Sequence, residues 1–184
     1  MKKILTIVAV TLCAISAFCA PVQLGDEFTK IKVGENNIPG WSNQFVKNPD
    51  NGVASVIASP DGKQACFNIK TDKLATTFYR EELTAVKPGE ALICAVRASG
   101  KGKISIGCFG YSLNGRYFPL PGRQRTFTVS ENGKLFRAHI IFSDKGRLPL
   151  GKIRPCFTIE KGSDITIHTL AFTYHPKEAE EAAK

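Results

Sequence analysis

Residues 91–111 read ALICAVRASGKGKISIGCFGY. Two β-prone, apolar-rich runs flank the triplet Gly100-Lys101-Gly102, the residue type that reverses a chain with little steric cost. The spacing predicts a hairpin, with strands at 91–99 and 103–111 closed by a three-residue loop. Antiparallel partners then keep a constant sum of residue numbers. Cys94 falls opposite Cys108, Val96 opposite Ile106 and Ala98 opposite Ile104, so one face is uniformly apolar. Directly opposed β-carbons lie near disulfide reach. The expectation is therefore a Cys94–Cys108 bond and, by elimination, Cys66–Cys156. The rival reading is four buried thiols acting as small hydrophobes.

The same grammar extends in both directions. Short β-rich runs at 53–58, 64–70, 76–83, 126–130, 135–143, 153–160 and 164–174 alternate with turn signals such as Pro60-Asp61-Gly62, Pro88-Gly89, Asn114-Gly115, Asn132-Gly133 and Lys161-Gly162-Ser163. Phe136, Ala138, Ile140 and Phe142 share one face against Arg137 and His139. Ile153, Pro155, Phe157 and Ile159 oppose Arg154, Cys156, Thr158 and Glu160. No window before Pro176 carries a 3.6-residue period. The pattern predicts an all-β chain, an antiparallel sandwich of jelly-roll type.

The ends differ from the body. Lys2 and Lys3 precede an apolar run over residues 4–17, the length of a secretory h-region and short for a membrane span. The reading is a signal peptide over 1–19, cut after Cys19, with Ala17 at the minus-three position; acylation of Cys19 is the rival. The domain then spans 20–175, and 176–184 forms a charged tail of helix-prone KEAEEAAK. The expected location is secreted, periplasmic or at the cell surface, with no transmembrane segment.

With 184 residues, 43% hydrophobic, disorder is excluded. The net charge of +9 falls by two to +7 without Lys2 and Lys3. The basic residues are scattered, with one tight group at Arg116, Arg123 and Arg125, and no basic helix face reads as a nucleic-acid surface. No cysteine sits in a CxxC pair, so a zinc site is not expected. Neither G-x-S-x-G nor H-E-x-x-H occurs, and Glu81 and Glu82 are adjacent in a strand, so they point to opposite faces. The sequence is read as non-enzymatic. Residues 109–118, FGYSLNGRYF, combine aromatics, an amide and an arginine, groups that cover the apolar faces of a sugar and bond its hydroxyls. Tyr111 and Arg116 are candidates from this stretch. Asn68 opposes Phe67 and Ile69 on its strand, and Arg154 and Thr158 share a face on theirs, so all three are candidates to line a concave sheet. Tyr79 and Arg80 alternate, so at most one faces a groove.

Leu24-Gly25-Asp26-Glu27-Phe28 followed by Pro39-Gly40-Trp41, then residues 86–92 (VKPGEAL), Arg97-Ala98, residues 155–159 (PCFTI) and Ile165-Thr166-Ile167 resemble, in order, bacterial extracellular carbohydrate-binding modules of the cellulose- and xylan-binding kind with a galactose-binding-like jelly roll. The resemblance covers residues 22–174. It implies recognition of a polysaccharide or glycoconjugate without chemistry, and places ligand contacts on Tyr117 and Asn114. Trp41 is a core residue or a binding platform on this reading. Such modules often hold a structural calcium with acids of the opening motif and final strand; Asp26, Glu27 and Asp164 are the candidates here, and the final strand at 167–170 (IHTL) lacks the usual carboxylate. No other cofactor is implied. The alternatives are a structural or adhesive envelope protein, and a binder of acidic polymer through Arg116, Arg123 and Arg125.

Overall fold

The computed structural model describes residues 21–24, 30–43, 51–118, 123–143 and 150–176. The expected leader, most of the opening motif with Asp26 and Glu27, and residues 177–184 of the tail lie outside them. Among the described residues there are twelve strands: β1 (Val22–Leu24), β2 (Trp41–Asn43), β3 (Gly52–Ala58), β4 (Ala65–Thr71), β5 (Thr76–Arg80), β6 (Thr84–Ala85), β7 (Ala91–Ser112), β8 (Tyr117–Phe118), β9 (Gln124–Val129), β10 (Lys134–Ile141), β11 (Leu150–Ile159) and β12 (Asp164–His175). All ladders are antiparallel and form two layers. The first runs β3-β4-β12-β7-β10, with β1 also on β12. The second runs β2-β5-β11-β7-β9, with β6 on β11 and β8 on β7. The result is the expected antiparallel β-sandwich of jelly-roll type.

The sequence reading fails at the stretch it started from. Residues 91–112 are one strand of 22 residues that passes from the first layer into the second. Its front half pairs with β10 and β12, its rear half with β11 and β9. Gly100 (φ +118°) and Gly102 (φ +131°) do not reverse the chain; they let it cross tightly under the turn that joins β11 to β12. A β-carbon on Gly100 would stand 2.2 Å from the Asp164 carbonyl oxygen, and one on Gly102 would stand 2.2 Å from Ser163 Oγ. Side chains cannot be accommodated there, so glycine is required for a corner as it would be for a loop.

The disulfide expectations fall with the hairpin. All four cysteines are free and buried. Cys94 pairs in register with Ala138 and Phe172, and Cys108 with Pro155, so the two are not ladder partners. Cys66 lies on the outward side of β4, beside His168, and Cys156 on the outward side of β11, so the sandwich separates them. Burial holds all four thiols above their ordinary range, Cys108 at about 12.

The core lies between the layers. Phe136, Ala138, Ile140 and Phe142 point inward, as do Ile153, Pro155, Phe157 and Ile159, while Arg137 and His139 are exposed. Phe78 stacks on Phe157 at 5.0 Å and 7°, and Phe67 meets Phe78 edge-on at 5.2 Å. Trp41, 2% exposed, bridges the layers by touching Phe157 and Phe172, each at 5.7 Å. Pro155 is tolerated in a central strand for a local reason. Its partner Cys108 donates its N–H to the Arg123 carbonyl on the opposite edge, so Pro155 turns its nitrogen away from β7. On that side the ladder to β5 ends at Cys156 and the ladder to β6 starts only at Ile153, so no ladder bond is lost.

Candidate functional site

The outward side of the second layer collects four aromatic residues and an arginine. In antiparallel ladders, registered partners share a face. Arg154 pairs with Phe109, Cys156 with Tyr79, and Tyr111 with Tyr117. Inward neighbours Ile153, Pro155, Cys108 and Phe78 force these residues outward. The rings touch in series: Tyr79 to Phe109 at 6.0 Å, Phe109 to Tyr117 at 5.8 Å and Tyr111 to Tyr117 at 5.7 Å. The Arg154 guanidinium lies over Tyr111 at 5.3 Å and Tyr79 at 5.8 Å, within cation–π range. Tyr117 is 52% exposed and is the open end of the cluster. Burial pushes the Tyr111 phenol up, opposed by the charge of Arg154 and their hydrogen bond.

Farther along the same face the side chains become hydroxylic. Thr77 and Thr158 hydroxyls lie 2.9 Å apart, and those of Ser105 and Thr126 lie 2.7 Å apart. Gln124 Nε2 donates to Cys156 Sγ at 3.3 Å. The face thus offers flat rings at one end and fixed polar groups at the other, a combination suited to a ring with both C–H and O–H surfaces.

Four of the sequence candidates meet here: Tyr111, Tyr117, Arg154 and Thr158. Asn114 and Arg116 are exposed in the turn between β7 and β8, beside the cluster; the Asn114 side-chain oxygen accepts a hydrogen bond from Ser112. Two candidates are elsewhere. Trp41 is in the core, so the platform reading is corrected. Asn68 belongs to the other layer, where it donates to Asp164 and Thr166, each at 3.1 Å. Tyr79 is the groove-facing member of the Tyr79–Arg80 alternation, and Phe109 is the member of the cluster that the sequence reading does not single out. Alternation already held the signal, since Phe109 is adjacent to the inward Cys108. The arginine trio does not form one patch: Arg116 and Arg125 are exposed, while Arg123 is buried with its guanidinium 5.6 Å from the Phe142 ring.

Of the calcium candidates, Asp164 is described, and it is engaged by Asn68 and, at 3.8 Å, Lys70. Among the described residues no group of three His, Cys, Asp or Glu side chains could hold a metal, and Asp26 and Glu27 lie outside them. No helix among them is long and apolar enough to cross a membrane.

The first layer carries a separate polar cavity of about 550 Å³, lined among others by Asp61, Gln64, Arg97, Ser99, Glu131 and His168. His168 is the extra residue of a bulge between Ile167 and Thr169. Its Nε2 lies 2.8 Å from Ser99 Oγ and its Nδ1 lies 3.4 Å from Cys66 Sγ. Both ring nitrogens are satisfied, the ordinary condition of a partly buried histidine.

No family model and no curated protein matches the chain. Solved structures do, at low identity. A Stig cyclase from Fischerella sp. TAU is 9% identical with TM-score 0.61, covering 86% of this chain and 100% of the cyclase. A carbohydrate-binding module, CBM4, is 11% identical with TM-score 0.51, covering 82% and 99%. The enzymatically active domain of bacteriophage CBA120 tailspike protein 4 is 11% identical with TM-score 0.52; the match covers 79% of this chain and 21% of that one. These likenesses show the fold, one shared with a carbohydrate-binding module.

Proposed function

We propose that the chain is an exported bacterial carbohydrate-recognition domain that works without a chemical step. It acts at the cell surface, in the periplasm or outside the cell, and it grips a glycan on the outward side of the second layer. The observation that carries this reading is the continuous run of Tyr79, Phe109, Tyr111 and Tyr117 on one open face. Contiguous rings on a rigid sheet, three of them half-buried and Tyr117 exposed, mark a binding surface. The fold shared with a carbohydrate-binding module supports sugar as the ligand class. Affinity comes from apolar stacking plus hydrogen bonds from the hydroxyl end of the face.

A glycan array probed with the full chain and with Tyr79→Ala and Tyr117→Ala tests the proposal. Binding to at least one glycan, weakened by both substitutions, is expected. Failure to bind any glycan, or binding indifferent to both substitutions, would overturn it and favour a structural or adhesive envelope role.

A further inference from the structure

Arg154 is the cation at the centre of the aromatic cluster, and among the described residues it has no counter-ion. It sits on a central strand, half-buried, between Tyr79 on one side and Tyr111 on the other. Its Nε is buried without a hydrogen-bond partner. Among the described residues no carboxylate pairs with it. The acids nearest along the sequence to this face follow β5 directly, two and three residues past Tyr79, and are already engaged: Glu81 accepts from Ser42 Oγ at 2.7 Å, and Glu82 pairs with Arg80 at 2.6 Å. Lys152, two residues before Arg154 and registered with Tyr111, adds a second positive charge to the same side of the strand.

A partly desolvated guanidinium is ordinarily paired. Ring faces offset part of the desolvation but do not neutralise the charge. The planar fork of arginine matches a carboxylate or an oxyanion such as sulfate through two parallel hydrogen bonds, and a neutral hydroxyl replaces only one of them. Tyr117, the most exposed ring, is left to carry the apolar side of a saccharide.

Resting on the carbohydrate reading above, we infer that the face selects an anionic saccharide, whose carboxylate or sulfate ester docks on Arg154 while a sugar ring lies against Tyr117. The two anionic sources share this chemistry and are separated by the test.

Calorimetric titration of the full chain would use an oligogalacturonate, its methyl ester, a sulfated galactan oligosaccharide, a neutral xylo-oligosaccharide and poly-glutamate. The expected result is binding of the uronate or the sulfated ligand at least tenfold tighter than the methyl ester and the neutral sugar. Arg154→Gln, with its melting temperature checked, is expected to erase that preference, lowering affinity for the anionic ligand at least tenfold more than for the neutral sugar. Arg154→Lys is expected to retain part of it. Preference for the uronate or for the sulfated ligand identifies the anion. Neutral and anionic sugars binding equally, with loss in Tyr117→Ala, would overturn the charge selection and leave sugar recognition standing. No saccharide bound at all would overturn both. Poly-glutamate binding as tightly as the best saccharide would also overturn the inference, because a diffuse basic surface would then suffice.

Discussion

The main-chain oxygen of Arg123 lies 1.8 Å from the point a β-carbon on Gly107 would occupy. The start of β9 therefore lies against β7 at that residue, and the Cys108 N–H bonds the same Arg123 oxygen at 3.0 Å. The contact is with backbone, which cannot rotate away. Gly107→Ala is expected to destabilise the fold by about 1–3 kcal/mol or more through overpacking, read as a lower urea midpoint with an unchanged slope. An unchanged midpoint would show that β9 can be displaced freely.

Gly107 also marks the boundary of what the sequence discloses. Its neighbours Ile106 and Cys108 read correctly as inward, and the alternations at 135–142 and 153–159 read correctly too, because period 2 is local information. The corner at Gly100 and Gly102 reads as a loop in sequence because a hairpin loop and a sharp crossing call for the same residue. The difference lies in Ser163 and Asp164, some sixty positions away, which press against the corner. Asn68 shows the same limit: its face was legible, but its layer depends on β4 joining β12 rather than β11. Tyr111, Tyr117, Arg154 and Thr158 emerged as candidates because their strands alternate cleanly. Their convergence on one face is a fact of strand order, which no local pattern carries.

The four thiols are expected to be reduced in the folded protein. Non-reducing peptide mapping should recover Cys66, Cys94, Cys108 and Cys156 as unpaired. Burial disfavours each thiolate, so alkylation at pH 8 should be slow until denaturant is added. A Cys66–Cys156 peptide would require these two to meet from opposite sides of the sandwich, and finding one would refute the layer assignment.

Trp41 is the chain's single tryptophan and makes a convenient probe. Packed on Phe157 and Phe172, it should emit at short wavelength, with little quenching by iodide. Saturation with any bound glycan should leave that emission unmoved. Trp41→Ala should cost about 3–5 kcal/mol. A ligand-dependent shift in emission would return Trp41 to the binding surface.

Tyr117 should behave in the opposite way to Trp41. It is 52% exposed, so Tyr117→Ala should change stability by no more than about 0.5 kcal/mol, the usual range for surface positions. Its effect should instead fall on glycan affinity, by about tenfold or more if it is a central anchor. Thermal melts and calorimetry on the same preparation separate the two effects. A large drop in melting temperature with unchanged affinity would make the tyrosine structural.

His168 gives the fold a dependence on acid. Burial, with the nearby charge of Arg97 second, lowers its pKa from the ordinary 6.5. Asp61 and Glu131, which also line the cavity, do not reverse that direction. Above 6.5 the ring is neutral in both folded and unfolded chains, and its contribution is fully present. As pH falls through 6.5 the unfolded chain takes up a proton that the folded chain refuses, so stability declines until the folded pKa is reached. Melting temperatures between pH 7.5 and 5 should therefore fall less steeply in His168→Gln than in the parent. Imidazole titration by NMR supplies the direct check: a folded-state value at or above 6.5 would contradict the packing of His168 between Ser99 and Cys66.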